Sequence, residues 1–297
     1  MNTLRTAEIA TLEKPWAYVV LTKPDVTFLV VITTVAGFYL GSRGPLDWTL
    51  LTHTLLGTVL VGAGTAALNQ YLERDMDAMM RRTSLRPLPA GVLQPRDVLV
   101  FGVSTIVAGT VWLALATNAL AALCAISTTA LYLGLYTPLK TRTTLATAVG
   151  AFPGALPPLI GWAAAHGSIS IGAWILFGIL FFWQFPHFLA IAWIYREDYA
   201  RAGIRMLPVV DRSGDATFRL IVAMAPVLVP VSLLPSVVGM SGIHYFFGAL
   251  VLGMILLQVS LWSGLSRTNK RAKWLMHTTV VYIPLLLGVM ILDRVSR

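Results

Sequence analysis

A chain of 297 residues that is 57% hydrophobic and only 12% charged carries about half the charge of an ordinary soluble domain. No single core could bury that much apolar surface, so lipid is expected to be its main solvent. Its one cysteine, Cys124, lies in an apolar run and excludes an intrachain disulfide or a cysteine-based metal cluster. The net charge of +9 is scattered over short loops and forms no basic domain, which argues against nucleic acid as a partner.

From Met1 to about Thr22 the chain mixes Arg5, Glu8, Glu13 and Lys14 and lacks the apolar centre of a cleavable signal peptide. Residues 1–22 are therefore expected to remain as a polar tail. Pro24 opens the first of nine charge-poor apolar runs, near 24–41, 49–69, 98–116, 118–136, 145–164, 170–194, 216–238, 243–263 and 274–292. Each is long enough to cross a bilayer as a helix, and only Thr117-Asn118 separates the third from the fourth. Their length without alternation favours helices over strands. The pattern predicts an all-α membrane protein of about nine transmembrane helices, forming one polytopic domain over 23–297.

Basic residues orient it. The segment up to Lys23 and the loops after helices 2, 4, 6 and 8 hold 19 of the 22 Lys and Arg, leaving Arg43, Arg294 and Arg297 opposite. By the positive-inside rule the N-terminus is cytoplasmic and the C-terminus outside. The same side carries 11 of the 13 acids, which simple anchoring does not explain.

Those acids concentrate in two long loops, about 71–97 and 195–215, the expected catalytic loops. Asn69, Glu73 and Asp77 are spaced i, i+4, i+8, so a helix stacks them on one face, while Asp75 turns away. Hard oxygens beside Arg82 and Arg86 suit a magnesium-bound diphosphate. Salt bridging of the acids to Arg74, Arg81 and Arg82 is the plainer alternative. The second loop follows Trp183-Gln184-Phe185-Pro186-His187-Phe188 and begins Tyr195-Arg196-Glu197-Asp198-Tyr199. A proline within a span frees backbone groups, a feature tolerated beside a cavity, and His187 directly follows it. The loops end alike, Arg86-Pro87-Leu88-Pro89 and Arg205-Met206-Leu207-Pro208, which suggests a weak internal duplication. Lys140 and Arg142, in a short turn after Tyr136-Thr137-Pro138, serve either as membrane anchors or as phosphate contacts. His53, His166, His244 and His277 read as interfacial or packing residues.

Asn69-x3-Glu73-x3-Asp77-x4-Arg82-Thr83-x2-Arg86-Pro87-Leu88 resembles the first signature of the UbiA-type intramembrane prenyltransferases. Further segments resemble the heme-modifying branch of that superfamily: Tyr136-Thr-Pro-Leu-Lys140, Gly150-Ala-Phe-Pro-Gly154-Ala-Leu-Pro-Pro158, Trp183-Gln-x-Pro186-His187-Phe188, Tyr199-Ala-x-Ala-Gly203-Ile-x-Met206-Leu207-Pro208 and Tyr282-x-Pro284. The likeness spans roughly 20 to 290. It departs from the usual pattern at Gln70 and Glu73, and at Phe188 and Tyr195, where Asp is common.

The resemblance implies helices around a central cavity and transfer of farnesyl from farnesyl diphosphate to the 2-vinyl group of heme B, with addition of water. It implies Mg²⁺ on Asn69, Glu73, Asp77, Glu197 and Asp198, and diphosphate on Arg82, Arg86, Lys140, Arg196 and Arg205. Asn69, Glu73, Asp77 and His187 would be catalytic, His187 either ligating heme iron or handling the water's proton. The partners implied are farnesyl diphosphate, heme B, the lipid bilayer and a heme A synthase or oxidase assembly factor. The expected location is a bacterial inner membrane with the site towards the cytoplasm. Competing readings are a quinone-ring or other aromatic acceptor, a transporter and a heme chaperone.

Overall fold

The computed structural model describes residues 14–295; the part of the expected tail at 1–13 lies outside them. Helix α1 covers Lys14–Leu21, α2 Pro24–Gly41, α3 Trp48–Met79 and α4 Pro95–Ala116. Helix α5, Ala119–Ala130, continues through a π-helical turn at Leu131–Tyr136 into one last turn ending at Leu139. The fifth span is broken into α6, Ala146–Ala155, and α7, Pro157–His166. Then come α8 (Ile171–Ile194), the short α9 (Arg196–Arg201) and α10 (Leu207–Val210), α11 (Asp215–Val237), α12 (Ile243–Ser266) and α13 (Asn269–Leu292). Among the described residues nine helical segments are long and apolar enough to cross a membrane, as expected.

Local chemistry explains the boundaries. Pro24 and Pro95 start α2 and α4, where a missing N–H costs nothing. Asn118 divides the third span from the fourth by capping α5, its side chain accepting from Ala121 N at 2.9 Å. Two findings depart from the sequence reading. Helix α3 does not stop near residue 69 but runs to Met79, so the acidic stretch is a continuation of the span itself. Lys14–Leu21, counted with the polar tail, is a helix whose Ala17 and Leu21 are buried against Ala67, Leu88, Leu93 and Val98.

The centre of the bundle is the broken fifth span and α8, each 61% buried over its most apolar stretch, against 22–44% for the others. Small residues let neighbouring backbones approach, as lipid-embedded helices require. Thr34 Oγ1, whose proton goes to Val30 O at 2.8 Å, also comes within 3.2 Å of Pro157 O where α2 crosses α7. At that crossing a Cβ on Gly161 would stand 2.0 Å from Thr34 O. Gly161→Ala is therefore expected to force α2 from α7 at a cost of about 1–3 kcal/mol. A lowered thermal unfolding midpoint in a common detergent would register it; an unchanged midpoint would mean the crossing is looser than drawn.

Candidate active site

The last three turns of α3 emerge from the apolar bundle carrying Asn69, Glu73 and Asp77. All three are buried, at 1%, 5% and 0% exposure. An isolated carboxylate in that position would cost several kcal/mol, so each needs a partner. Each finds a cation from a different segment. Lys23 Nζ donates to Asn69 Oδ1 at 2.7 Å, Lys140 Nζ to Glu73 Oε1 at 2.5 Å, and Arg86 Nη1 to Asp77 Oδ2 at 2.6 Å. Asn69 Nδ2 donates to Thr137 Oγ1 at 3.4 Å, and that hydroxyl donates to Tyr132 O at 2.9 Å. Asp77 Oδ1 is buried without a hydrogen-bond partner.

The surroundings hold these cations in place. Arg86 lies in the turn after α3, whose path is set by Thr83 Oγ1 donating to Asp77 O at 2.9 Å. The π-helical turn widens the backbone and brings two rings onto Lys140, whose ammonium is 4.5 Å from the Tyr136 ring centre and 6.0 Å from that of Tyr132. Three basic groups thus face two carboxylates. Burial, together with the Arg86 guanidinium, pushes the Lys23 ammonium down to about 7. The unequal count of basic groups and carboxylates leaves a surplus of positive charge, which an anion would relieve.

The other expected residues fall into separate arrangements. Asp198, on α9, pairs with Arg201, and its Oδ2 accepts from Arg82 N at 3.3 Å. Arg201 Nε also donates to Met79 O at 3.5 Å, and the Arg82 guanidinium lies 5.1 Å over the Tyr195 ring. These contacts, with Met80, Tyr199, Ala202, Ile204 and Met206 buried together, join α9 to the loop after α3. Glu197 is exposed. Arg196 turns to α13, donating to Asn269 Oδ1 at 2.8 Å and stacking on Trp193 at 4.4 Å. Arg205 braces the Lys140 turn, its backbone N–H donating to Lys140 O at 2.7 Å and its Nη1 to Arg142 O at 3.4 Å. Among the described residues no three His, Cys, Asp or Glu converge as a metal cluster. The structure therefore gathers Asn69, Glu73 and Asp77 with Arg86 and Lys140, and leaves Glu197, Asp198, Arg196 and Arg205 outside that contact set.

His187 stacks on Trp183 at 4.8 Å, and its Nδ1 lies 2.8 Å from Thr279 Oγ1 on α13. Sequence reasoning missed Lys23, Thr137, Arg201 and Thr279 as members of these arrangements. Lys23 carried a signal, standing directly before the proline that opens a span; Thr279 carried none.

A family model described as the UbiA prenyltransferase family matches residues 30–283. A protoheme IX farnesyltransferase of Solibacter usitatus is 49% identical, the match covering 93% of this chain and 98% of that protein. The Aquifex aeolicus protein of the same name is 41% identical, over 94% and 95%. Among solved structures, one described for digeranylgeranylglyceryl phosphate synthase superposes with TM-score 0.79 at 18% identity, covering 95% of this chain and 99% of that one. A UbiA homolog from Archaeoglobus fulgidus bound to GPP and Mg²⁺ superposes with TM-score 0.63 at 14% identity, over 92% and 99%. At those identities the structural likeness concerns the fold.

Proposed function

We propose, from the premise that the chain belongs to the UbiA prenyltransferase family, that it transfers a farnesyl group from farnesyl diphosphate to the 2-vinyl group of heme B. Water is added and heme O and diphosphate are released. Relatives of 49% and 41% identity over nearly the whole chain, both protoheme IX farnesyltransferases, support that substrate pair. The observation that carries the chemistry is the buried face of α3, where Lys23, Arg86 and Lys140 are held against Asn69, Asp77 and Glu73.

Each side chain has a role in this reading. The C1–O bond of the allylic diphosphate breaks and its electron pair leaves with the diphosphate. Arg86, Lys140 and Lys23 take the oxygens of that leaving group, exchanging a carboxylate or amide partner for phosphate, and Arg82 adds a further contact. The vinyl carbon bonds to C1 of the farnesyl group. Water then bonds to the carbon left electron-deficient beside the heme ring and gives up a proton. Arg205 holds the Lys140 turn, and Asp198 with Arg201 holds α9 against the loop after α3.

Mg²⁺ fits the residues present, because Asp77 Oδ1 is a buried oxygen without a partner and lies on the same helix face as Asn69 and Glu73. These three would hold the ion, and when bound it would neutralise charge on the leaving diphosphate. The protein is an integral multi-pass membrane protein. Its basic-rich side, with the site, is assigned to the cytoplasm of a bacterial inner membrane, which puts the C-terminus outside.

Membranes containing the protein, given farnesyl diphosphate with either heme B or 4-hydroxybenzoate, test the acceptor by product mass. The expected product is heme increased by a farnesyl group and a hydroxyl. Prenylated 4-hydroxybenzoate with unchanged heme would overturn the assignment.

A further inference from the structure

The contact between α8 and α13 leaves one hydroxyl serving two groups. Thr279 Oγ1 lies 2.6 Å from the Met276 carbonyl and 2.8 Å from His187 Nδ1. A carbonyl oxygen only accepts, so the threonine's single proton is committed to Met276 O at the shorter of the two distances. Were that proton turned to the imidazole, two oxygens with facing lone pairs would be left 2.6 Å apart. Both contacts are attractive only when His187 Nδ1 carries the hydrogen and donates to Thr279. The ring is held from other directions as well. Trp183 stacks on it at 16° between planes, while the indole Nε1 donates to Thr279 O at 2.8 Å. Phe188 meets it edge-on at 5.2 Å. The far nitrogen, Nε2, has no hydrogen-bond partner among the described residues and is not sealed inside the protein.

The geometry points to Thr279 as a positioning residue that holds the ring hydrogen of His187 on Nδ1, so that in the uncharged ring Nε2 presents a lone pair to the acceptor half of the reaction. This rests on the reading of heme as acceptor and extends it. His187 is a Lewis base towards that substrate, never an N–H donor to it. Two electrophiles suit such a nitrogen: the heme iron, or a proton of the water that adds to the vinyl group.

Protein labelled with ¹⁵N-histidine and reconstituted in nanodiscs tests the tautomer directly, because protonated and unprotonated ring nitrogens resonate far apart. The His187 signals are those lost in H187Q. The expected wild-type spectrum has a protonated Nδ1 and an unprotonated Nε2. Thr279→Ser, which keeps the hydroxyl, should retain that spectrum and most of the turnover. Thr279→Val should populate the Nε2–H form and lower kcat by at least tenfold, with KM for farnesyl diphosphate unchanged. Ferric heme added to the wild type and H187Q tests the first electrophile: a Soret shift present only in the wild type identifies iron and supports the lone-pair assignment, whereas matching spectra exclude iron and overturn that half of it. A wild-type Nε2–H signal, or a Thr279→Val variant with wild-type tautomer and turnover, would overturn it. The tautomer is read without any reaction, so a failure of the heme assignment in the product-mass assay stays distinguishable from a failure here.

Discussion

Asp77→Asn is expected to leave the protein inserted and folded and to reduce farnesyl transfer by roughly 100- to 1,000-fold, the loss typical when an electrostatic element of a transition-state site is removed. Asn has the shape of Asp, and its oxygen still accepts from Arg86, so the loop after α3 keeps its anchor. What disappears is the negative charge on a fully buried group that holds Arg86 through Oδ2 and leaves Oδ1 free for a cation. The surplus of positive charge rises by one at the same time. Ground-state binding of the diphosphate should therefore persist or tighten while kcat falls, a split that mass-detected turnover and a diphosphate-binding isotherm would reveal together. Turnover at the wild-type rate would remove Asp77 from the catalytic assignment.

Lys140→Met is expected to cost about 3–5 kcal/mol of stability, because it strands Glu73 as a buried carboxylate without its direct partner. Their side chains are only 10% and 6% exposed, so water cannot take over the lost contact. Removing the charge on the other side as well, in the Lys140→Met/Glu73→Gln double variant, should restore most of the stability. Activity should be absent from both, since the first lacks the phosphate contact and the second also lacks the carboxylate. Thermal unfolding midpoints of the wild type and both variants, read in one detergent, check this. A single variant as stable as the wild type would mean that the pair is solvated, and the surplus-charge argument would fall with it.

Much of the architecture was legible because the signals are local. Nine apolar runs need only chain length and hydropathy to be recognised, and a cap such as Asn118 acts on a residue three positions away. The stacking of Asn69, Glu73 and Asp77 on one face is likewise a property of helical pitch, although the apolar pattern ended that helix ten residues too early. Where an element is amphipathic and short, the reading was weaker. Lys14–Leu21 follows a charged stretch, and nothing local announces that Ala17 and Leu21 will pack against α3 and the loop after it.

The partners of the site were not legible. Lys23 is 46 residues from Asn69, Lys140 is 67 from Glu73, and Thr279 is 92 from His187. The spacing of residues along one helix carries no information about which distant side chain will meet them. Asp198, for which the resemblance implies a metal-binding role, contacts Arg201 and the Arg82 backbone, and the Arg82 partner, 116 residues away, could not be read from its own turn.

By itself, then, the sequence determined that this chain lives in lipid, how many times it crosses, and which helix face carries the hard oxygens, since hydropathy and pitch are properties of neighbouring residues. Only the tertiary structure decided which cation answers each oxygen, that three basic groups meet two carboxylates, and which imidazole nitrogen is left free. Those outcomes depend on where separate helices cross, and in a low-dielectric interior the cost of an unpaired charge makes each such meeting decisive.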